Sequence, residues 1–172
     1  MDTLECISTK LDVREFNPVK VTTEVKLKVL EAGRLTGSGS NSQHWHFILI
    51  QDKDDLIRLA KDAPHGKWLE NAGFAIIILT EPKKGFHMID AGRALQDMML
   101  AAWNHGVISC VTTSLDEASL RIDFNIPPSL FPSAIVGFGY PRRTVMGKKN
   151  RKPLEEIVSL GRYGINFNPK KL

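Results

Sequence analysis

Three polar segments carry side chains suited to holding a flat, phosphorylated molecule. The first, Lys10-Leu11-Asp12-Val13-Arg14-Glu15-Phe16, sets two cations four residues apart just before Asn17-Pro18. The second, Gly37-Ser38-Gly39-Ser40-Asn41-Ser42-Gln43-His44-Trp45, begins as the stretch poorest in side-chain bulk and closes on amides and an indole. The third is Lys149-Asn150-Arg151, inside a basic run with Arg142, Arg143, Lys148 and Lys152 and no acid among them. Small residues let a backbone approach a ring face. Asn and Gln offer both a donor and an acceptor to a ring edge. Separated cations clamp a phosphate, Arg through a bidentate fork. Taken singly, each segment also has a plainer reading: Arg14 as the ion-pair partner of Glu15 or another acid, the tail cations as a solvated charge run.

Competing chemistries lack their patterns. The Gly37-Ser38-Gly39 stretch follows an expected helix rather than a strand and has no third glycine in frame, so it is not a dinucleotide fingerprint. Neither Gly66-Lys67 nor Gly147-Lys148 is followed by Ser or Thr in a phosphate-loop frame. His44 and His46 lie two apart, which on a strand is one face, but no third ligand is evident; ordinary hydrogen-bonded histidines and no metal site are expected. Cys6 and Cys110 form neither a CxxC pair nor a zinc spacing and read as reduced, partly buried thiols. The net charge of +4 is modest. No aromatic residue interleaves the basic run before Tyr163, so nucleic acid has no stacking platform and is not an expected partner.

These residues must be positioned by a compact scaffold. An apolar fraction of 42% suffices for a core, and 172 residues fit a single domain. The patterning predicts helices over 2–8, from Thr22 or Thr23 to Leu35, over 52–61, 90–105 and 116–124, and strands over 45–50, 74–80, 107–112 and 133–138. Phe74 to Thr80 is apolar on both faces, which marks a central strand. The connections do not repeat as strict βαβ units, so the fold class is α+β, a central mixed or antiparallel sheet flanked by helices. From Gly147 the chain has too little apolar content for a core of its own, and residues 147–172 read as a C-terminal extension. The longest apolar run, Phe74 to Leu79, is far below the roughly 18 residues of a membrane span. The acidic start Met1-Asp2-Thr3-Leu4-Glu5 has no signal-peptide pattern, and a cytoplasmic location without membrane attachment is expected.

In order along the chain, these motifs resemble the nitroreductase family of flavoproteins. That family opens with an R-R-S-x-R-x-F segment, matched by Lys10 to Phe16. Its A-P-S-x-x-N-x-Q-P-W loop is matched by Thr36-Gly37-Ser38-Gly39-Ser40-Asn41-Ser42-Gln43-His44-Trp45. The helix from Asp90 to Ala102 leads into a G-x-x-S-C segment, Gly106 to Cys110, and Gly139-Tyr140-Pro141 and Lys149-Asn150-Arg151 match a later G-[FY]-P and K-x-R. The chain departs at Lys10-Leu11 for Arg-Arg, Asp12 for Ser and His44 for Pro, and it is short for the family.

The resemblance implies FMN held between two subunits of a homodimer, the C-terminal extension embracing the partner. Lys10, Lys149 and Arg151 would hold the phosphate, with Leu11 and Asp12 beside it. Arg14 would reach the ribityl chain and the pyrimidine edge. Ser38, Gly39, Ser40, Asn41 and Gln43 would approach from the partner subunit or the pyrimidine side, and Val111, Thr112, Thr113 and Ser114 would pass the flavin N5. The implied activity carries hydride from NADH or NADPH through FMN to a nitroaromatic, a quinone or a similar small-molecule acceptor, by a ping-pong mechanism with no catalytic side chain, in keeping with the absence of a catalytic triad. The alternatives are a flavin-binding or redox-sensing module without turnover, or a relative specialised in dehalogenation or flavin fragmentation.

Overall fold

The computed structural model describes residues 2–171. In chain order the elements are α1 (Thr3–Thr9), α2 (Thr23–Leu35), β1 (Trp45–Ile50), α3 (Lys53–Lys61), β2 (Phe74–Thr80), α4 (His87–Asn104), β3 (Ile108–Thr112), α5 (Glu117–Asp123), β4 (Phe131–Gly139) and the single turn α6 (Leu154–Ile157). The four strands form one antiparallel sheet in the order β1-β2-β4-β3. No helix among the described residues is long and apolar enough to cross a membrane.

All seven residues of β2 are buried, and the pleat divides them between two cores. Phe74, Ile76 and Ile78 face Val29 of α2 and Ala91, Met98, Met99 and Ala102 of α4. Ala75, Ile77 and Leu79 face Leu56, Leu59 and Ala60 of α3, Leu69 and Leu120 of α5. The α+β sandwich expected from the sequence is therefore present, with α2 and α4 on one face and α3 and α5 on the other. Gly33 allows α2 and α4 to close: a Cβ there would stand 2.0 Å from Met98 Cε. Phe74 and Phe138, register partners on β2 and β4, stack with centroids 4.7 Å apart.

The local signals acted largely as expected. Thr22 caps α2 through Val25 N–H, Asp52 caps α3 through Asp54 N–H, and Asp116 caps α5 through Ser119 N–H. Two bounds moved. The fourth helix begins at His87, before the expected 90, without a side-chain cap. The last strand begins at Phe131, and Pro132 falls opposite Leu79 beside the register shift in β2, where proline's missing N–H is tolerated.

The segment that precedes α2 lies along the outer edge of the sheet. Asp12 makes a parallel bridge to Ser109, Val13 N–H donates to Ser109 O at 3.1 Å, and Phe16 pairs with Pro141. Beyond Gly147 the chain forms the α6 turn and a bend closed by a Ser159–Asn166 bridge, with Gly161 and Gly164 at positive φ. Leu154, Ile157, Leu160 and Ile165 of this tail are more than half exposed.

Candidate functional site

Within the extended 10–16 segment, tertiary packing rather than simple alternation decides which side chains are covered. Lys10 and Phe16 are buried, whereas Asp12 and Arg14 are exposed. Lys10 is 5% exposed; its Nζ donates to Asp12 Oδ1 at 2.6 Å and lies 3.9 Å from Met99 Sδ. Its ammonium is thus turned into the α4 side of the molecule and ion-paired, a setting that the sequence pattern did not show. Arg14 donates from Nε to Cys110 Sγ at 3.3 Å, and its guanidinium lies 5.7 Å from the centre of the Trp68 ring. The alternative ion pair with Glu15 does not form, because Glu15 is held by Arg143 at 2.9 Å.

Lys149 and Arg151 share a groove of about 900 Å³ with Leu11, walled by Ile7, Trp103 and Met146. Lys149 Nζ donates to the carbonyl of Ile7, and Arg151 Nη1 to the carbonyl of Asn150. Among the described residues no carboxylate pairs with either cation, in contrast to Lys10. Unneutralised cations beside apolar walls are the donor set of a phosphorylated ring compound, so these residues fit a flavin mononucleotide.

The 37–44 loop is built on a buried carboxylate. Asp90, 2% exposed in the first turn of α4, accepts from Gly39 N–H at 2.9 Å, meets His44 Nε2 at 3.2 Å and is reached by Arg93 Nη1 at 3.4 Å. Burial pushes its carboxyl up, but the Gly39 amide and His44 outweigh that and hold it below the usual carboxylate range. Ser40, Asn41 and Gln43 all sit at positive φ, 53°, 52° and 46°. Such a run is strained for residues with a Cβ. It is held by Ser38, whose Oγ accepts from Gln43 N–H at 3.0 Å and whose carbonyl accepts from Asn41 N–H at 3.0 Å. Gly39 lies against Phe86, where a Cβ would come within 2.6 Å of the ring. Ser42 Oγ and His44 Nδ1 are buried without a hydrogen-bond partner.

Within one chain these segments form two clusters rather than one. Lys10 rests on Met99, whereas the loop rests on Asp90, and α4 advances on the order of 13 Å between those residues at 1.5 Å per residue. On the first side, Leu11, Lys149 and Arg151 line one groove, while Arg14 lines a neighbouring, separate one with Phe16 and Arg142; Asp12 is tied to Lys10. Val111, Thr112, Thr113 and Ser114 follow directly from Cys110, which holds Arg14; Thr112 is buried and Thr113 exposed, and Ser114 N–H donates to Thr112 Oγ1 at 3.3 Å. Sequence reasoning did not identify Asp90, Trp68 or Cys110 as supports of these segments. Asp90 opened the expected helix, the one signal available; the partners of Trp68 and Cys110 arise from tertiary packing.

Comparison with known proteins agrees with this fold. The Nitroreductase family profile matches residues 7–72 and 59–140. A protein of Methanothermobacter thermautotrophicus provisionally named NADH dehydrogenase/NAD(P)H nitroreductase is 29% identical over 150 residues, covering 82% of this chain and 78% of the relative. Among solved structures, a nitroreductase family protein from Clostridium difficile 630 superposes with a TM-score of 0.85 at 28% identity, covering 94% of this chain and 99% of the other. An FMN-dependent nitroreductase from Clostridium difficile R20291 shares the fold with a TM-score of 0.87 at 22% identity, covering 94% and 100%. The chain belongs to the nitroreductase family.

Proposed function

We propose that the protein is an FMN-dependent NAD(P)H oxidoreductase, acting as a homodimer on a small-molecule electron acceptor such as a nitroaromatic or a quinone. The observation that carries this is the groove in which Lys149 and Arg151 stand without carboxylate partners beside Leu11, on the segment that also carries Arg14. Lys149 and Arg151 hold the phosphate; Lys10, tied to Asp12, adds a positive charge from behind. Arg14 binds the ribityl and pyrimidine side and offsets negative charge there, and Val111 to Ser114 present backbone amides. Ser38, Gly39, Ser40, Asn41 and Gln43 serve the site of the other subunit, in keeping with their distance from Lys10 within one chain. FMN held there would supply the redox chemistry between NADH or NADPH and the acceptor, in a ping-pong cycle. The protein's part is to bind, orient and set the local charge, and no nucleophile is required.

The test is the cofactor itself. The purified protein is expected to be yellow and to release FMN on heating, identified by chromatography. Recovery of FAD, or of no flavin after incubation with FMN, overturns the reading. Bleaching of the flavin absorbance within seconds of adding NADH or NADPH distinguishes an enzyme from a module without turnover.

A further inference from the structure

The Arg14 side chain is exposed, and an exposed arginine ordinarily spreads over many rotamers. Here two groups restrain it. Cys110 Sγ accepts from Nε at 3.3 Å, and the Trp68 indole lies under the guanidinium, 5.7 Å from Cζ to the ring centre. Both restraints are fixed by the sheet. Cys110 on β3 is the register partner of Gly137 on β4, so the two positions share a face. Gly137 is where Trp68 lies down: a Cβ there would stand 2.6 Å from Trp68 Cζ3. The indole is further set by Nε1 donating to His65 O at 3.1 Å and by the Phe16 ring at 6.1 Å. The absence of a side chain on β4 thus seats the tryptophan, and the tryptophan and the neighbouring thiol seat the arginine. Among the described residues, Nη1 and Nη2 of Arg14 have no protein acceptor, so its outer fork is left for a ligand.

We propose that Cys110 and Trp68 are positioning residues for the flavin: they act through Arg14, fixing its guanidinium where it favours the reduced cofactor. Neither touches the reacting atoms. The inference rests on the reading of Arg14 as a flavin neighbour, and it assigns Cys110 a role as a hydrogen-bond acceptor rather than as a redox thiol.

The experiment combines an FMN titration of apoprotein with the two-electron potential of bound FMN, for Arg14→Gln, Cys110→Ala, Cys110→Ser, Trp68→Leu and the Arg14→Gln/Cys110→Ala double variant. Arg14→Gln is expected to lower the preference for reduced over oxidised FMN about tenfold, a negative shift of about 30 mV for a two-electron couple. Cys110→Ala and Trp68→Leu should shift it in the same direction, by at least threefold in that preference, and Cys110→Ser, which keeps an acceptor, by less than Cys110→Ala. In the Arg14→Gln background Cys110→Ala should add nothing, since it acts only through the arginine. An unchanged potential in Cys110→Ala, or an equal further shift in the double variant, overturns the proposal even if Trp68→Leu fails to fold. If the wild-type chain binds no FMN, or Arg14→Gln leaves the potential unmoved, the parent reading fails and the proposal with it.

Discussion

Arg142 and Arg151 of the basic run differ in their surroundings, and that difference is measurable. Arg151 lines the groove with Lys149 and Leu11, whereas Arg142 lines a separate one with Arg14, Phe16 and Lys53. If the phosphate is held by Lys149 and Arg151, Arg151→Ala loses a charge-assisted hydrogen bond worth on the order of 2 kcal/mol, about thirtyfold in FMN dissociation constant. Arg142→Ala should stay within about threefold. Fluorescence titration of the two apoproteins compares them directly, and equal weakening would mean that the clamp is elsewhere. Motif order singled out Arg151 and Lys10 alike, but nothing local showed that Lys10 is buried and paired with Asp12. That Lys10 and Asp12 can pair follows from their spacing of two along extended backbone. That Lys10 is covered by Met99 depends on α1 and α4 packing together, residues far apart in the chain.

At the scale of elements, the junction of α3 and α5 carries a second electrostatic device. Asp62 follows the last turn of α3 and its carbonyl accepts from Asp116 N–H at 2.7 Å. Its side chain is 5% exposed with Oδ2 unpartnered. Burial, then Asp123 and Asp116, push its pKa up to about 6, against the opposing pull of Arg58 and Lys61. An acid whose folded pKa lies above its unfolded value contributes its full stability below the unfolded value, near pH 4, and loses it as pH rises through about 6. At pH 7.5 the buried carboxylate is a net cost. Asp62→Asn, whose amide can donate to the neighbouring acids, should gain roughly 1 to 2 kcal/mol at pH 7.5, below the roughly 3 kcal/mol that two pKa units represent. It should gain little at pH 4. Urea melts at the two pH values measure this, and an equal gain at both would mean that Asp62 is not the titrating group. Nothing local announced that site, since Asp62 reads as one more polar residue at a helix end. The elements that form it were legible, because their caps and apolar periods are local: Asp52, Asp116 and the two-faced apolar run of β2. The early start of α4 at His87 was not, as no capping side chain marks it. The loop at 37–44 was visible as a loop, but its left-handed backbone at Ser40, Asn41 and Gln43 depends on Asp90, a contact across 51 residues.

At the scale of the whole molecule, the tail and the 37–44 loop pose one problem. The tail carries Lys149 and Arg151, yet Leu154, Ile157 and Leu160 are 55%, 63% and 56% exposed, and Tyr163 is fully exposed. An isolated chain gains little by ordering such a segment against its entropy. Covering what those three aliphatic side chains still expose is worth on the order of 3 to 4 kcal/mol. The loop meanwhile stands far along α4 from the cations it is read as joining. A second copy of the chain addresses both, since a two-fold contact covers each tail with the other body and brings each loop to the other cation cluster with no further sequence. The expected state is an obligate homodimer with more than about 2,000 Å² of total buried surface. Truncation after Gly147 removes Lys149, Arg151 and the exposed aliphatic residues together, and should therefore abolish FMN binding and dimerisation in one step. Light scattering with absorbance detection reads both. A full-length chain that is monomeric and flavin-loaded at micromolar concentration, or a truncated chain that stays dimeric and yellow, would show that neither the tail nor the two-fold contact completes the site.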